Sequence, residues 1–156
     1  MATRLQGVLL IFAMTVSLVG CGMTVPTDPD STLQQVSGGD LRVGVSPAEG
    51  LADVSTDAPT GPLVDLVDTF ADSLDADVEW TIDSEETLVG MLEEDDLDLV
   101  VGGFTDQTPW IDRAGVTRGY TGIPGADGRS IVMLVPLGEN AFLSELELFL
   151  DTEVGS

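Results

Sequence analysis

From Leu41 onward, apolar and polar positions follow two rhythms that take turns along the chain. Leu41-Arg42-Val43-Gly44-Val45 and Val78-Glu79-Trp80-Thr81-Ile82 change character at every second residue, the period of a strand with one better-covered face. Leu97 to Val101 is almost continuously apolar, which predicts a third strand near the middle of a parallel sheet. It ends at Gly102-Gly103, where the chain is free to turn sharply over the sheet edge. Between these runs the spacing becomes helical. From Pro62 to Leu74, one stripe holds Leu63, Val64, Leu66, Val67, Phe70, Ala71 and Leu74, and the opposite stripe holds Asp65, Asp68, Asp72 and Asp75. Asp83, with Glu86 three residues on, predicts a capping box for a helix from Ser84 to about Glu94 that buries Leu88, Val89, Met91 and Leu92. Ile131 to Val135 predicts a fourth strand. After Gly138 a last helix reaches about Asp151, with Phe142, Leu143, Leu146, Phe149 and Leu150 turned inward. Strands alternating with single helices predict one α/β domain over residues 41–151, a mostly parallel sheet flanked by helices.

The first forty residues read differently. Residues 1–20 carry one cation, Arg4, and an apolar run from Val8 to Val19. That run, about a dozen residues, is too short for a bilayer core and suits the apolar region of a signal peptide. It ends Leu18-Val19-Gly20-Cys21, which matches the lipobox of secreted lipoproteins. The expectation is cleavage before Cys21, two acyl chains anchoring the protein to the membrane, and residence on its extracytoplasmic face. An ordinary signal peptide with a chance cysteine, or a short uncleaved anchor, is the alternative. From Gly22 to Asp40 no apolar period survives among the Pro, Thr, Ser and acidic residues, so residues 21–40 read as lipidated cysteine and flexible tether.

Charge narrows the chemistry. All 28 acidic residues follow Cys21, against four arginines (Arg42, Arg113, Arg118, Arg129), with no lysine and no histidine anywhere. Such a field repels nucleic acid and anionic headgroups, which removes both as partners of the domain. Dense self-repulsion is tolerable where salt screens it, so the surface reads as adapted to high salt; a genome that avoids Lys codons would explain the missing lysine but not the scarce arginine. Cys21 is the only cysteine, so there is no disulfide, and Ser-His-Asp or Cys-His nucleophiles and a structural zinc site cannot be assembled. The aspartate stripe reads as a solvated helix face rather than a metal face. No acid pair stands out from the acidic background, and neither catalysis nor a cofactor is expected.

Leu41-Arg42-Val43-Gly44-Val45, then Gly61-Pro62-Leu63-Val64-Asp65-Leu66, then Leu97-Asp98-Leu99-Val100-Val101-Gly102-Gly103-Phe104-Thr105 resemble, in order and spacing, successive signatures of the amino-acid-type (family 3) extracellular solute-binding proteins of ABC importers. Val132 to Leu143 is similar to that family's last strand and helix. In full members a second lobe lies between the two regions; here only Thr121 to Ser130 does. The resemblance therefore implies a single, internally shortened lobe of a periplasmic-binding-protein-like (type II) fold. One lobe offers an open half-site, which implies weak affinity for a small solute.

Sites in such sheets lie beyond the carboxyl ends of the strands, which selects the loops Ser46–Thr60 and Phe104–Arg113. Ser46 and Thr105 match positions where the family offers polar contacts. The family's carboxylate-binding arginine falls on Trp110, with Arg113 a helical turn further on as its substitute. Trp110 is equally readable as a packing residue, and Arg113 and Arg118 as local salt bridges to Asp106 or Asp112. Ser46, Phe104, Thr105, Trp110 and Arg113 are the candidate ligand contacts. The implied function is a lipid-anchored protein that presents or senses a small solute for a transporter permease. The rival is an accessory module that docks another membrane protein through an exposed face containing Phe104 and Trp110.

Overall fold

The computed structural model describes residues 28–155; the leader and Cys21 lie outside the described residues. In chain order the elements are α1 (Thr32–Val36), β1 (Asp40–Val45), α2 (Pro62–Ser73), β2 (Asp77–Ile82), α3 (Glu85–Glu93), β3 (Leu99–Val101), a short turn of tighter helix (Pro109–Asp112), β4 (Gly115–Val116), β5 (Leu134–Val135) and α4 (Asn140–Glu153). The five strands form one sheet in the order β2-β1-β3-β5-β4. β1 pairs in parallel with β2 and β3, Val43 lying opposite both Trp80 and Leu99. The other half of the sheet is antiparallel: Val100 faces Leu134 across β3 and β5, and Val116 faces Leu134 across β4 and β5. A parallel neighbour needs a crossover, which α2 and α3 supply. β5 has none, since its chain arrives from the turn at residues 121–130 and runs back down the sheet.

Each face of the sheet carries its own core. On one, Leu41, Val43, Val45, Leu99 and Val101 meet Leu63, Val67 and Phe70 of α2 and Phe142, Leu146 and Leu150 of α4. The ring of Phe70 sits 5.9 Å from that of Phe142 and 5.2 Å from that of Phe149, at tilted angles favoured by aromatic pairs. On the other face, Leu88, Val89 and Leu92 of α3 pack with Leu97, Val100, Phe104, Val132 and Leu134. Met91, Leu143 and Phe149 of the predicted inward stripes stay half-buried at the margins, while the aspartates of α2 face outward.

Two expectations are corrected. The capping box at Asp83 and Glu86 does not form. Ser84 is the N-cap of α3, its Oγ accepting from the N–H of Thr87 at 3.4 Å, because Asp83 is spent accepting the N–H of Ser84 at 2.6 Å. And the supposed tether is folded from Asp28 onward: α1 lies against the lobe, with Val36 only 1% exposed. Its anchor is Glu139, whose carboxylate oxygens accept the N–H groups of Asp30 (3.0 Å) and Thr32 (3.1 Å). That contact spans more than a hundred residues, so local pattern at residues 28–40 carries no sign of it.

Candidate functional site

At the carboxyl edge, β1 gives way to Ser46 and the chain enters a loop that doubles back on itself. Ala48 bridges Ala52 and Asp53 bridges Thr60, which holds the loop open as a ledge. Between the ledge and the start of α2 lies an open groove of about 640 Å³ walled by Pro47 to Ser55 and Thr60 to Pro62. That volume falls in the range of small-molecule sites. Its charged side chains are Glu49 and Asp53, both acidic. The N–H of Ser55 donates to Asp53 Oδ1 at 2.8 Å and holds that carboxyl below the usual carboxylate range.

The segment at residues 121–130 seals the edge beside this loop. Gly125 lies so close to Gly50 that a Cβ on it would come within 1.9 Å of the Gly50 carbonyl oxygen, and φ of Gly125 is +81°, so glycine is required there twice over. Arg129 pins the contact, donating to the carbonyls of Ala126 and Gly125 (2.9 Å each) and of Glu49 (3.1 Å).

The five candidate contacts separate into two groups. Ser46 and Thr105 sit at the carboxyl edge as expected, the Ser46 N–H donating to Val101 O and Thr105 bridging Ile131. Ser46 is 2% exposed and its hydroxyl has no hydrogen-bond partner among the described residues. Phe104 follows the same strand but is 3% exposed, turned into the core under α3. Trp110 and Arg113 lie elsewhere. After Thr105 the chain returns along the α3 face to the amino edge, where Arg113 pairs with Glu93 at the end of α3 and stacks 5.3 Å from the centre of the Trp110 ring. The expected partners Asp106 and Asp112 are not used. Arg118 pairs with Glu147 at 3.2 Å and Asp151 at 2.8 Å on α4. Arg113, two residues before β4, has to be at the amino edge, because β4 runs in the same direction as β3. The face containing Phe104 and Trp110 expected of a docking module is also absent, since Phe104 is core and Trp110 half-buried. No cluster among the described residues could hold a metal ion. Among them no helix is long and apolar enough to cross a membrane.

Glu49 and Asp53 were not singled out from the sequence, although their loop was selected, and Arg129 lies outside both selected loops. The link from Arg129 to Glu49 spans eighty positions, and no local motif marks it.

No protein-family model matches the chain, and no curated protein matches it significantly. Solved structures do. Two structures of the arginine-bound form of domain 1 of the arginine-binding protein from T. maritima, one a point mutant, superpose with TM-scores of 0.65 and 0.64. Each is 20% identical, and the matches cover 78% and 76% of this chain and 97% of those chains. A Salmonella typhimurium periplasmic binding protein of high arginine specificity matches with TM-score 0.59 and 14% identity over 75% of this chain and 94% of that one. An ancestral cationic amino acid solute-binding protein is 26% identical, with TM-score 0.50, over 58% of this chain and 41% of that longer one. The chain has the fold of a single solute-binding-protein domain, an open five-stranded sheet flanked by helices.

Proposed function

We propose that this protein is a non-enzymatic, single-lobe solute-binding protein. It holds a small amino-acid-type solute in the groove that follows β1, is anchored outside the membrane by lipid on Cys21, and presents or senses that solute for a transporter permease. One observation carries the reading: a ligand-sized groove lies at the carboxyl edge of a fold whose solved examples include an isolated domain, of nearly the same extent, bound to arginine. Binding at strand carboxyl ends is the general rule for open α/β sheets. The acidic field draws in cations and zwitterions and turns away anions. One wall gives about half the contacts of a two-lobed cleft, which places affinity at weaker than roughly millimolar. Titrating the protein with the free amino acids by calorimetry tests this. Saturable binding of at least one is expected; no binding of any up to concentrations on the order of 100 mM overturns it. Intact mass checks the anchor separately, since the wild type should carry added acyl mass that Cys21→Ser lacks.

A further inference from the structure

Among the described residues three large apolar side chains stand well exposed: Ile111 (68%), Leu137 (65%) and Leu148 (62%). One such residue by itself needs no explanation. Ile111 and Leu137 are another matter, since separate stretches of chain bring them to one place. At the amino edge, a cleft of about 370 Å³ opens between the end of α3, the Pro109–Asp112 turn and the turn after β5. Leu137 lines it, and Ile111 stands next to Asp112 and Arg113, which line it too. Both apolar residues ride on closed turns. The N–H groups of Arg113 and Ala114 donate to Trp110 O at 2.9 and 3.0 Å, and those of Glu139 and Asn140 to Pro136 O and Gly138 O at 3.3 and 2.8 Å. Backbone fixed in this way loses little entropy when a partner arrives. The cleft is also acidic. The cation in its wall, Arg113, is taken up by Glu93, and Arg42 in the adjoining cleft by Asp98. Asp30, Asp95 and Asp112 line the same cleft and make no ion pair among the described residues. A second copy of the chain would bring the same acids against them, and an anionic bilayer more charge of the same sign. Charge thus selects a cationic partner, and the two apolar side chains select one that is amphipathic.

We propose that the amino edge is a docking surface for a basic, amphipathic segment of another protein. The segment sets apolar side chains on Ile111 and Leu137 and Lys or Arg side chains against Asp30, Asp95 and Asp112. Because the solute groove lies at the other end of the sheet, this surface stands or falls independently of solute binding.

Three synthetic peptides provide the test: one with two leucines a helical turn apart flanked by lysines, one with serine for both leucines, and one with glutamate for every lysine. Affinities are read by NMR titration of the labelled protein in about 0.15 M salt, where charges more than about 8 Å apart are largely screened. The Lys/Leu peptide is expected to bind at least about tenfold more tightly than the Lys/Ser peptide, with shifts centred on Asp95, Ile111–Arg113 and Leu137. The Glu/Leu peptide should not bind. The double change Ile111→Ser and Leu137→Ser should bring the Lys/Leu peptide down to the Lys/Ser level, whereas Leu148→Ser on α4 should leave it unchanged. Equal binding of the two lysine peptides, shifts centred elsewhere, or no binding of any peptide overturns the proposal. So does attachment of the protein to phosphatidylcholine vesicles that the double change abolishes, which would give the surface to a membrane instead. The wild-type comparison of peptides decides the matter even where the double variant unfolds.

Discussion

Ser46 Oγ lies beneath the turn at Gly102, and a Cβ placed on that glycine would come within 2.1 Å of it. Ser46 is short and buried, so it has no room to swing away. Gly102→Ala should therefore cost about 1–3 kcal/mol in denaturant melts, the usual range for overpacking. Ser46→Ala alone should stay within about 1 kcal/mol of wild type, because its hydroxyl has no partner to lose. Together the two changes should recover most of the loss; a strictly additive cycle would show that Ser46 is not the obstacle. At this scale the sequence told much about positions and little about partners. The loops that carry Ser46 and Thr105 were selected by the general rule for strand ends, which needs only correct strands, and the two residues within them by the family resemblance. Arg113 was misjudged because its pairing depends on where the chain re-enters the sheet. Arg129 was invisible for the same reason.

α1 is held by two acids that face one another. The Asp28 carboxyl is pushed above the ordinary carboxylate range by burial and by its hydrogen bond to Glu139. Burial would push Glu139 up as well, but hydrogen bonds from Asp28 and from the N–H groups of Asp30 and Thr32 hold it below its ordinary value. Of the two, Asp28 is thus the carboxyl that keeps its proton to higher pH. The Asp28 contribution to docking is lost as pH rises through its raised folded-state value, and that of Glu139 as pH falls through its lowered one. Docking should be tightest in the acid window between the lowered Glu139 value and the raised Asp28 value. Protection factors for the Leu33 amide, which donates to Asp28 Oδ2 at 3.1 Å, should fall above that window in the wild type. Asp28→Asn donates to Glu139 at any pH and should abolish the fall; a flat wild-type profile would contradict a proton kept on Asp28. Longer elements were legible from period alone. α1 was not, for its five residues show no stripe and owe their helix to Glu139 and the packing of Val36. β4, two residues long, gave no period either.

The whole molecule carries net charge −23 on a single small domain. Screening length falls from about 30 Å at 0.01 M salt to about 3 Å at 1 M, so self-repulsion should be largely removed across that range. The melting temperature should rise with sodium chloride accordingly; a melt independent of salt would sink the reading of a high-salt surface. The lobe itself completes its sheet because the chain returns through residues 121–130 to add β5 and α4, which cover Phe70 and the strands beneath it. That return was legible as two family-like stretches separated by a Gly-rich turn, whereas the groove beside it was not, since its walls come from contacts that sequence does not order. Whether the proposed solute site lies at the carboxyl edge is decided by mapping amide shift changes as L-arginine is titrated into the labelled protein. Saturable changes are expected, confined to Ser46–Ser55, Thr60–Pro62 and the adjoining Gly125–Ser130. Changes centred instead on Ile111–Arg113 and Leu137, at the amino edge, or none at all, would contradict that placement.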